Sequence, residues 1–493
     1  MTLHIDVVRL QEPMLEFGGV PPRSDPKVGL RESGPFSLRF DGGQPGEVRL
    51  GVVGPQAMVE ATHRWFDRCQ GRILSPMSNR ERFPDFPGFQ EVFRTPLVLA
   101  DRMDVVLPDL ELQRALLQPK DLRFREVVEM YAQAVGTLAD RQMGPNVVVC
   151  ALPEDVLEKC FTLEAPKAAP RTKTGLGGSL QLSLPLDGDD EDDEERFLYR
   201  TFRRALKARV MLLRKRLPTQ IAHNKLLVDG PGKDDPATRA WSVCVALFYK
   251  AGGVPWRLAH VPPQVLFVGL SFHRYRTTKQ DAVFASTAQA YSTEIEGFVL
   301  RLNERIPRRT DRQPSLTGEQ AERLGRDILE QYRLQAERSP VRIVLHKTTR
   351  FRPEEEEGFN AAFRDVALVE YVSVNSDEPR LQLYGQGQYP PARGTLCSIN
   401  DDAWFLYTTG YYADWGTYPG PHVPRPLEIT LRAGVENPRR ACEEILGLTK
   451  MNWNAAHIGG SQPITLWMAR EVGPIMAEVP DHEEPELSYR YYM

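Results

Sequence analysis

The sequence is poor in cysteine and in long apolar runs, and each shortage excludes a class of protein. Its six cysteines form no CxxC pair and have no histidines at zinc-site spacing, a pattern that fits free thiols in a reducing cytoplasm. No run approaches the roughly 18 apolar residues of a membrane-spanning helix. The N-terminal MTLHIDVVRLQ has an early acid and lacks the apolar stretch of a signal peptide. These absences predict a cytoplasmic protein with no membrane partner.

Basic charge is not in excess either. The 62 lysines and arginines are outnumbered by 66 aspartates and glutamates, so the formal net charge is −4. This excludes a chain that binds nucleic acid simply by being basic overall, although a local basic channel is compatible with it. The 493 residues are enough for about two to four domains.

The first half of the chain alternates strand and helix signals. Residues 1–45 are rich in proline and glycine and are interpreted as an extended lead-in. The apolar runs at 47–55 and 146–153 predict buried strands, and a helix is expected at about 56–69. Strands that alternate with helices predict a Rossmann-like α/β domain over residues 46–258.

An acidic loop interrupts this domain at about 165–195. It contains the run DGDDEDDEE at 187–195, which is typical of a solvated insertion. The alternative is an electrostatic mimic that shields a basic groove until nucleic acid displaces it. A helix is then expected at 196–216, with its apolar and basic residues on different faces.

The second half has a different pattern. VLFVGLSFHRY, VFASTAQAYS and GFVLRL predict three consecutive strands, and a helix with a Thr317–Gln320 capping box is expected at 317–337. Further strands and helices follow. Antiparallel strands, then β-α-β, then helices predict a ribonuclease-H-like domain over residues 259–493 of this α/β protein.

One group of residues has the composition of a phosphate site. Arg203 and Lys207 lie one helical turn apart, Thr219 and Gln220 follow a proline, and Lys250 precedes a glycine pair. Lysines supply point charge, while an amide and main-chain N–H groups supply directional donors. The alternative is that Arg203 and Lys207 occupy a solvated helix face, and the spacing alone leaves both open.

Five blocks resemble segments of Argonaute proteins. LKARVMLLRKRLPTQIAHN (206–224), FYKAGGVPWRLA (248–259) and FVGLSFHRY (267–275) follow the order of the family's MID–PIWI junction. There a helix ends in an x-P-[ST]-Q turn, the next ends in K-x-GG-x-PW, and a strand reads F-[IV]-G-[IL]-D. LTKMNWNAAHIGGSQPITLWMARE (448–471) resembles the family's closing block, and LEFGGVPPRSDPKVGLRESGPF (15–36) its lead-in to the MID domain.

The resemblance is to a short prokaryotic Argonaute, which consists of MID and PIWI domains without N and PAZ domains. It implies that Lys207, Gln220 and Lys250 anchor the 5′-phosphate of a guide strand, with Thr219 as a supporting donor. Arg203 stands where many relatives have an aromatic residue or histidine that stacks on the first guide base. An arginine can also stack, and it adds charge.

The end of the chain gains a role from the same resemblance. In the family, the terminal carboxylate shares a divalent cation with the guide phosphate, which implies a structural Mg²⁺ held through the carboxylate of Met493. The alternative is a frayed tail. Tyr489, Tyr491 and Tyr492 favour a docked tail.

Active PIWI domains cut nucleic acid with two metal ions held by carboxylates. Here Ser271, Thr348 and Arg470 occupy three of the positions where the family places metal ligands. Hydroxyls are poor Mg²⁺ ligands and an arginine repels the ion. The fourth ligand, a mobile glutamate, has no motif to locate it. The chain is therefore expected not to be an enzyme.

His346 and Lys347 lie on a predicted strand beside these positions. At a strand edge that faces a duplex, they could contact backbone phosphates without reading sequence. The alternative for His346 is a hydrogen-bonded histidine in the core.

The resemblance implies a small 5′-phosphorylated guide RNA, recognition of complementary single-stranded DNA, and an APAZ-containing partner that carries an effector. That effector would be a TIR or sirtuin-type NADase, or a nuclease, acting in defence against invading DNA such as plasmids and phage. One alternative is a metal-dependent nuclease rebuilt from acids such as Asp401, Asp402 or Asp414. Another is a binding scaffold that takes no guide.

Overall fold

The computed structural model of the protein describes most of the chain. The described residues are 4–19, 21–40, 42–160, 201–230, 233–277, 280–292, 295–306, 313–376, 381–383, 390–399, 403–418, 420, 423–432, 435–480 and 482–493. The acidic loop and the first five residues of the helix expected at 196–216 lie outside them.

Strands occur throughout the described residues. In chain order they are β1 Ile5–Arg9, β2 Leu15–Glu16, β3 Val48–Gly54, β4 Leu97–Val106, β5 Val147–Ala151, β6 Thr219–Ala222, β7 Arg257–Leu258, β8 Val265–Thr277, β9 Gln280–Tyr291, β10 Phe298–Ile306, β11 Arg342–Lys347, β12 Leu368–Asn375, β13 Thr395–Ile399, β14 Ala403–Leu406 and β15 Leu427–Leu431.

Helices alternate with these strands. They are α1 Pro26–Ser33, α2 Gln56–Gln70, α3 Phe89–Phe93, α4 Asp109–Leu116, α5 Lys120–Ala139, α6 Glu154–Cys160, α7 Phe202–Met211, α8 Asn224–Leu227, α9 Pro236–Lys250, α10 Gly318–Ala336, α11 Pro353–Ala362, α12 Pro438–Leu448 and α13 Ile464–Met476, with short 3-10 turns at Phe36–Arg39 and Tyr489–Tyr491. No helix among the described residues is long and apolar enough to cross a membrane.

A four-stranded parallel sheet forms in the first half, in the order β4-β3-β5-β6. Every residue of β5 is buried, which explains its continuous apolar run, because helices cover both faces of a parallel sheet. Strands linked by helices in this way confirm the predicted Rossmann-like arrangement.

A nine-stranded mixed sheet dominates the second half, in the order β1-β13-β14-β15-β12-β11-β8-β9-β10. Strands β8, β9 and β10 are antiparallel neighbours, whereas β11 runs parallel to β8 and β12 runs parallel to β11. Three antiparallel strands followed by two parallel ones confirm the predicted ribonuclease-H-like order.

Local signals account for several helix ends. The Thr317 side chain accepts from the Gln320 N–H and Gln320 accepts from the Thr317 N–H, so the predicted capping box starts α10. The helix expected at 196–216 is shorter at its C-terminal end than the sequence predicts, because α7 ends at Met211. Pro218 disfavours helical geometry in the residue before it, so the chain unwinds ahead of β6.

The two halves share one hydrophobic core. Its largest cluster contains Val149 of the four-stranded sheet, Val344 of the nine-stranded sheet and Met493 at the end of the sequence. Between the sheets, the indole N–H of Trp256 donates to the main-chain oxygen of Lys450 at 3.0 Å. The halves are therefore packed as one body.

The N-terminal segment is also tied to the second half. Strand β1 pairs with β13, and Glu12 lies between the Arg393 guanidinium, at 3.1 Å, and the Lys450 ammonium, at 2.6 Å. Opposite charges therefore meet in this buried cluster. Pairing between residues so far apart in sequence has no local signal.

Candidate nucleic-acid interface

Lys207 is the centre of the candidate phosphate site. It lies on α7, is 2% exposed, and its ammonium donates to the main-chain oxygens of Thr219, at 3.1 Å, Tyr491, at 3.3 Å, and Met493. The solvated helix face that spacing alone left open is therefore wrong for Lys207. Helix α7 turns this side chain inward, against β6 and the end of the chain.

Lys250 reaches the same region from another element. It is the last residue of α9 and is 1% exposed, and its ammonium donates to the side-chain oxygen of Gln220. The Gln220 amide in turn donates to the main-chain oxygen of Ile221 at 3.1 Å. Gly252 follows the helix at φ +104°, a backbone conformation that favours glycine and lets the chain turn away.

Arg203 completes the group, one turn before Lys207. Its guanidinium donates to the main-chain oxygen of Tyr492 at 2.7 Å and lies 3.7 Å from the Glu471 carboxylate. Glu471 belongs to α13, so Arg203 links α7 to the second half of the protein. The structure thus brings together all five residues of the predicted phosphate site, with Thr219 contributing its main-chain oxygen.

The electrostatics of this cluster are unusual for a protein interior. Among the described residues, no carboxylate side chain lies within 4.0 Å of the Lys207 or Lys250 ammonium. Burial, then the neighbouring Lys250 and Arg203, holds the pKa of Lys207 well below its usual range. Burial, then Arg203, lowers the pKa of Lys250 to about 7. The charged forms of both lysines are therefore disfavoured in the free protein, and an anion bound here would stabilise them.

The end of the chain is docked against this site. Tyr489, Tyr492 and Met493 are buried, and the Tyr492 hydroxyl donates to the main-chain oxygen of Glu486 at 2.6 Å. The alternative of a frayed tail is wrong. Main-chain oxygens of Tyr491 and Met493 converge beside Lys207, and oxygen is the ligand type that Mg²⁺ prefers. The donor set fits such an ion when an anionic ligand offsets the nearby cations.

Two of the three residues compared with metal ligands, Ser271 and Thr348, lie on or directly after two neighbouring parallel strands. His346 pairs with Gly269 and Lys347 with Leu270, so the next residues, Thr348 and Ser271, follow side by side. Helix α13, which carries Arg470, packs on β8. A Cβ on Gly269 would lie 2.2 Å from the Thr465 oxygen, so only glycine allows this close approach.

The prediction that His346 and Lys347 contact a duplex is wrong, because both are buried. The His346 ring lies 2.9 Å from the Thr465 hydroxyl, and burial, with the nearby Arg342, lowers its pKa to about 3. The Lys347 ammonium lies 2.7 and 2.8 Å from the two oxygens of Glu355. These side chains hold the core together and cannot reach a ligand.

The alternative of a rebuilt nuclease depends on Asp401, Asp402 or Asp414. No contact among the described residues brings any of them beside Ser271 and Thr348. Asp401 and Asp402 lie outside the described residues. Asp414 is exposed and accepts a hydrogen bond from the Ser24 hydroxyl at 2.9 Å.

Glu471 is the site residue that sequence reasoning missed. It follows Arg470 inside the recognised C-terminal block, but its sequence context does not show that it faces Arg203. Only the packing of α13 against α7 reveals the contact.

Comparison with known proteins identifies the fold. No protein-family model and no curated protein matches the chain. Solved structures do match. Clostridium butyricum Argonaute, bound to a guide DNA and a 19-mer target DNA, has a TM-score of 0.61 at 15% identity, over 98% of this chain and 55% of that one.

Two further structures agree. Aa-Ago with externally bound siRNA has a TM-score of 0.58 at 13% identity, over 99% of this chain and 56% of that one. Drosophila Piwi has a TM-score of 0.54 at 14% identity, with the same coverage. The chain thus spans about half the length of the proteins it matches. It has the fold of the corresponding part of Argonaute and Piwi proteins.

Proposed function

We propose that the protein binds the 5′-phosphate of a short guide RNA and uses the guide to recognise complementary single-stranded DNA. The observation that carries this proposal is the convergence of the half-buried Arg203 with the buried Lys207 and Lys250. Three basic side chains from two helices meet there, and among the described residues Glu471 alone supplies a side-chain carboxylate within 4.0 Å of them. A phosphate dianion supplies the missing charge, and charge-assisted hydrogen bonds are the strongest kind.

The arrangement of the basic side chains supports a terminal phosphate as the ligand. A buried cluster at a helix end suits a terminal phosphate, which carries two charges, better than a phosphodiester, which carries one. A structural Mg²⁺ held by the Met493 carboxylate would neutralise part of the phosphate from its other side. Base pairing then supplies sequence specificity, while the protein contacts the end and the backbone of the guide.

We further propose that the protein does not cleave its target. The support is the resemblance of the sequence, in which Ser271, Thr348 and Arg470 take three positions where active relatives have metal ligands. The effector would be carried by an APAZ-containing partner, as a TIR or sirtuin-type NADase or a nuclease, in cytoplasmic defence against plasmids and phage. Binding of the duplex would act as the switch if the bound state favours the active effector.

The first experiment compares 5′-phosphorylated and 5′-hydroxyl guide RNAs of the same sequence by fluorescence polarisation. The phosphorylated guide is expected to bind at least tenfold more tightly, because only it carries the dianion. Equal affinities would overturn the proposed pocket.

Cleavage is tested separately. A labelled complementary DNA is incubated with the guide-loaded chain and Mg²⁺ or Mn²⁺. An intact target is expected, and cutting by the purified chain would overturn the non-catalytic assignment. Purification with the products of neighbouring genes, followed by mass spectrometry, would identify the effector partner.

A further inference from the structure

Three side chains of metal-binding type meet at the outer edge of the four-stranded sheet. They are His63 on α2 and Asp101 and Asp104 on β4, and one ligand atom from each lies within 4.8 Å of the others. The sheet order places β4 and β6 at opposite edges, so this cluster is distinct from the phosphate site around Thr219 and Gln220.

A bulge in β4 creates the cluster. Leu50 pairs with Leu99 and Val52 pairs with Asp104, so Gly51 on β3 stands opposite residues 100–103 on β4. A bulge of this kind re-aims side chains that strict alternation would separate. It brings Asp101 beside Asp104.

Packing holds the bulge in place. The Arg141 guanidinium donates to the main-chain oxygens of Arg102 and of Asp104, the latter at 3.2 Å. A Cβ on Gly51 would lie 3.0 Å from the Met103 oxygen, so the bulge also lies close against β3. The ligand atoms are therefore presented by a supported main chain.

Asp104 is the observation that points to a ligand. Its side chain is 8% exposed, and Oδ2 lies 2.8 Å from His63 Nε2. The Val52 N–H also lies near this carboxylate. The other oxygen, Oδ1, is buried and has no partner in hydrogen-bond geometry among the residues that the structure describes. A buried acceptor without a partner has lost its hydration without compensation, and the cost is larger when the group is charged. The Asp101 carboxylate adds a second negative charge nearby.

We propose that His63, Asp101 and Asp104 bind one divalent transition-metal ion. One imidazole nitrogen with carboxylate oxygens suits Zn²⁺ or Mn²⁺, whereas Mg²⁺ prefers oxygen ligands alone. Bonds of about 2.0–2.2 Å place neighbouring ligand atoms about 3 Å apart, close to the present separation of His63 and Asp104. The exposed Asp101 closes the site by side-chain rotation. The ion would fasten the bulge of β4 to α2.

The test uses the full chain, free of nucleic acid and dialysed against EDTA. Zinc chloride is titrated by calorimetry, and the melting temperature is recorded with and without zinc. The wild type is expected to bind one zinc ion, and Asp101→Asn is expected to weaken this binding at least tenfold. Zinc should also raise the melting temperature of the wild type more than that of the variant. His63→Gln is expected to abolish zinc binding.

A matched control is His482→Ala, which removes an exposed histidine that lies 4.0 Å from Glu483. This variant is expected to bind zinc as the wild type does. Because Asp101 is exposed, its variant should fold even if His63→Gln does not. Equal affinities in the wild type and Asp101→Asn, or no zinc binding by the wild type, would overturn the proposal.

Discussion

Two buried lysine sites in this chain are neutralised in opposite ways. Lys347 lies in the core, where its ammonium contacts both oxygens of the Glu355 carboxylate. That carboxylate also accepts from the N–H groups of Leu316 and Arg352.

Lys207 and Lys250 are equally buried, but no side-chain carboxylate among the described residues pairs with them. Their acceptors are main-chain oxygens, one of them on the terminal residue Met493, and the Gln220 amide oxygen. The carboxylate side chain makes Lys347 part of the fold, whereas Lys207 and Lys250 are the place where we propose that an anion binds.

The largest effect is expected on the free energy of unfolding when the Lys347–Glu355 pair is broken. Lys347→Ala leaves Glu355 as a buried, unpaired charge, and removing one partner of such a pair costs about 3–5 kcal/mol. Urea unfolding followed by circular dichroism measures the loss. The double variant Lys347→Met/Glu355→Met should recover only part of it, because the N–H groups of Leu316 and Arg352 then lack their carboxylate acceptor. A single-variant loss below about 1 kcal/mol would contradict the pairing.

Replacing Lys207 and Lys250 is expected to lower the affinity for the guide. Lys207→Ala/Lys250→Ala should weaken 5′-phosphorylated guide RNA about 100-fold or more, since each charge-assisted hydrogen bond is worth about 1.5–3 kcal/mol. The 5′-hydroxyl guide should lose much less, as fluorescence polarisation can show. Arg214→Ala/Lys215→Ala is the matched control, because these exposed cations lie near Asp140 just beyond α7. Equal losses for both guides would remove the phosphate assignment.

The preference for a phosphorylated guide should also depend on pH. The pKa of Lys250 is about 7 in the free protein, and a bound dianion raises it, so binding takes up a proton above that pH. Affinity should therefore fall as the pH rises from 7 to 9, by at most about tenfold per unit for this group. Below pH about 6 the phosphate itself becomes a monoanion and affinity falls again.

Lys250→Arg provides the control for this profile. An arginine stays protonated throughout the range, so the decline above pH 7 should become shallower. A wild-type affinity for phosphorylated guide that is flat from pH 7 to 9 would contradict the role given to Lys250.

The smallest effect is expected on the free energy of unfolding when Lys250 is replaced. The folded pKa of Lys250 lies below its value in an unfolded chain, so the unfolded chain binds more protons between about pH 7 and 10.5. Stability should rise with pH across this window, and Lys250→Met should lack that contribution. At pH 7 the variant should be at least as stable as the wild type in urea. A loss of more than about 2 kcal/mol would show that Lys250 is structural.

Much of this fold could be predicted because its signals are local. The apolar runs predicted β3 and β5, and the Thr317–Gln320 pair predicted the start of α10. Motif order also named five residues that the structure brings close together, Arg203, Lys207, Thr219, Gln220 and Lys250. Pairing between β1 and β13 could not be predicted, because it joins residues about 390 apart.

The errors have a common physical cause. A lysine on a helix or strand has the same sequence context whether its surroundings are water, a carboxylate or another part of the chain. Lys347 was expected at a surface, but Glu355 on the next helix neutralises it in the core. Arg203 was placed correctly, yet its partner Glu471 lies on the last helix and only tertiary packing joins them.

One hydrophobic cluster contains both Val149 and Val344, so we expect the two halves to unfold together. Heat should unfold the chain in a single cooperative transition, and either half expressed alone would expose apolar surface that its counterpart normally covers. A ligand held at the end of α9 would then raise the melting temperature of the nine-stranded sheet as well as of its own half. A partner protein that binds at the nine-stranded sheet can therefore respond to the ligand-bound state without contacting the ligand.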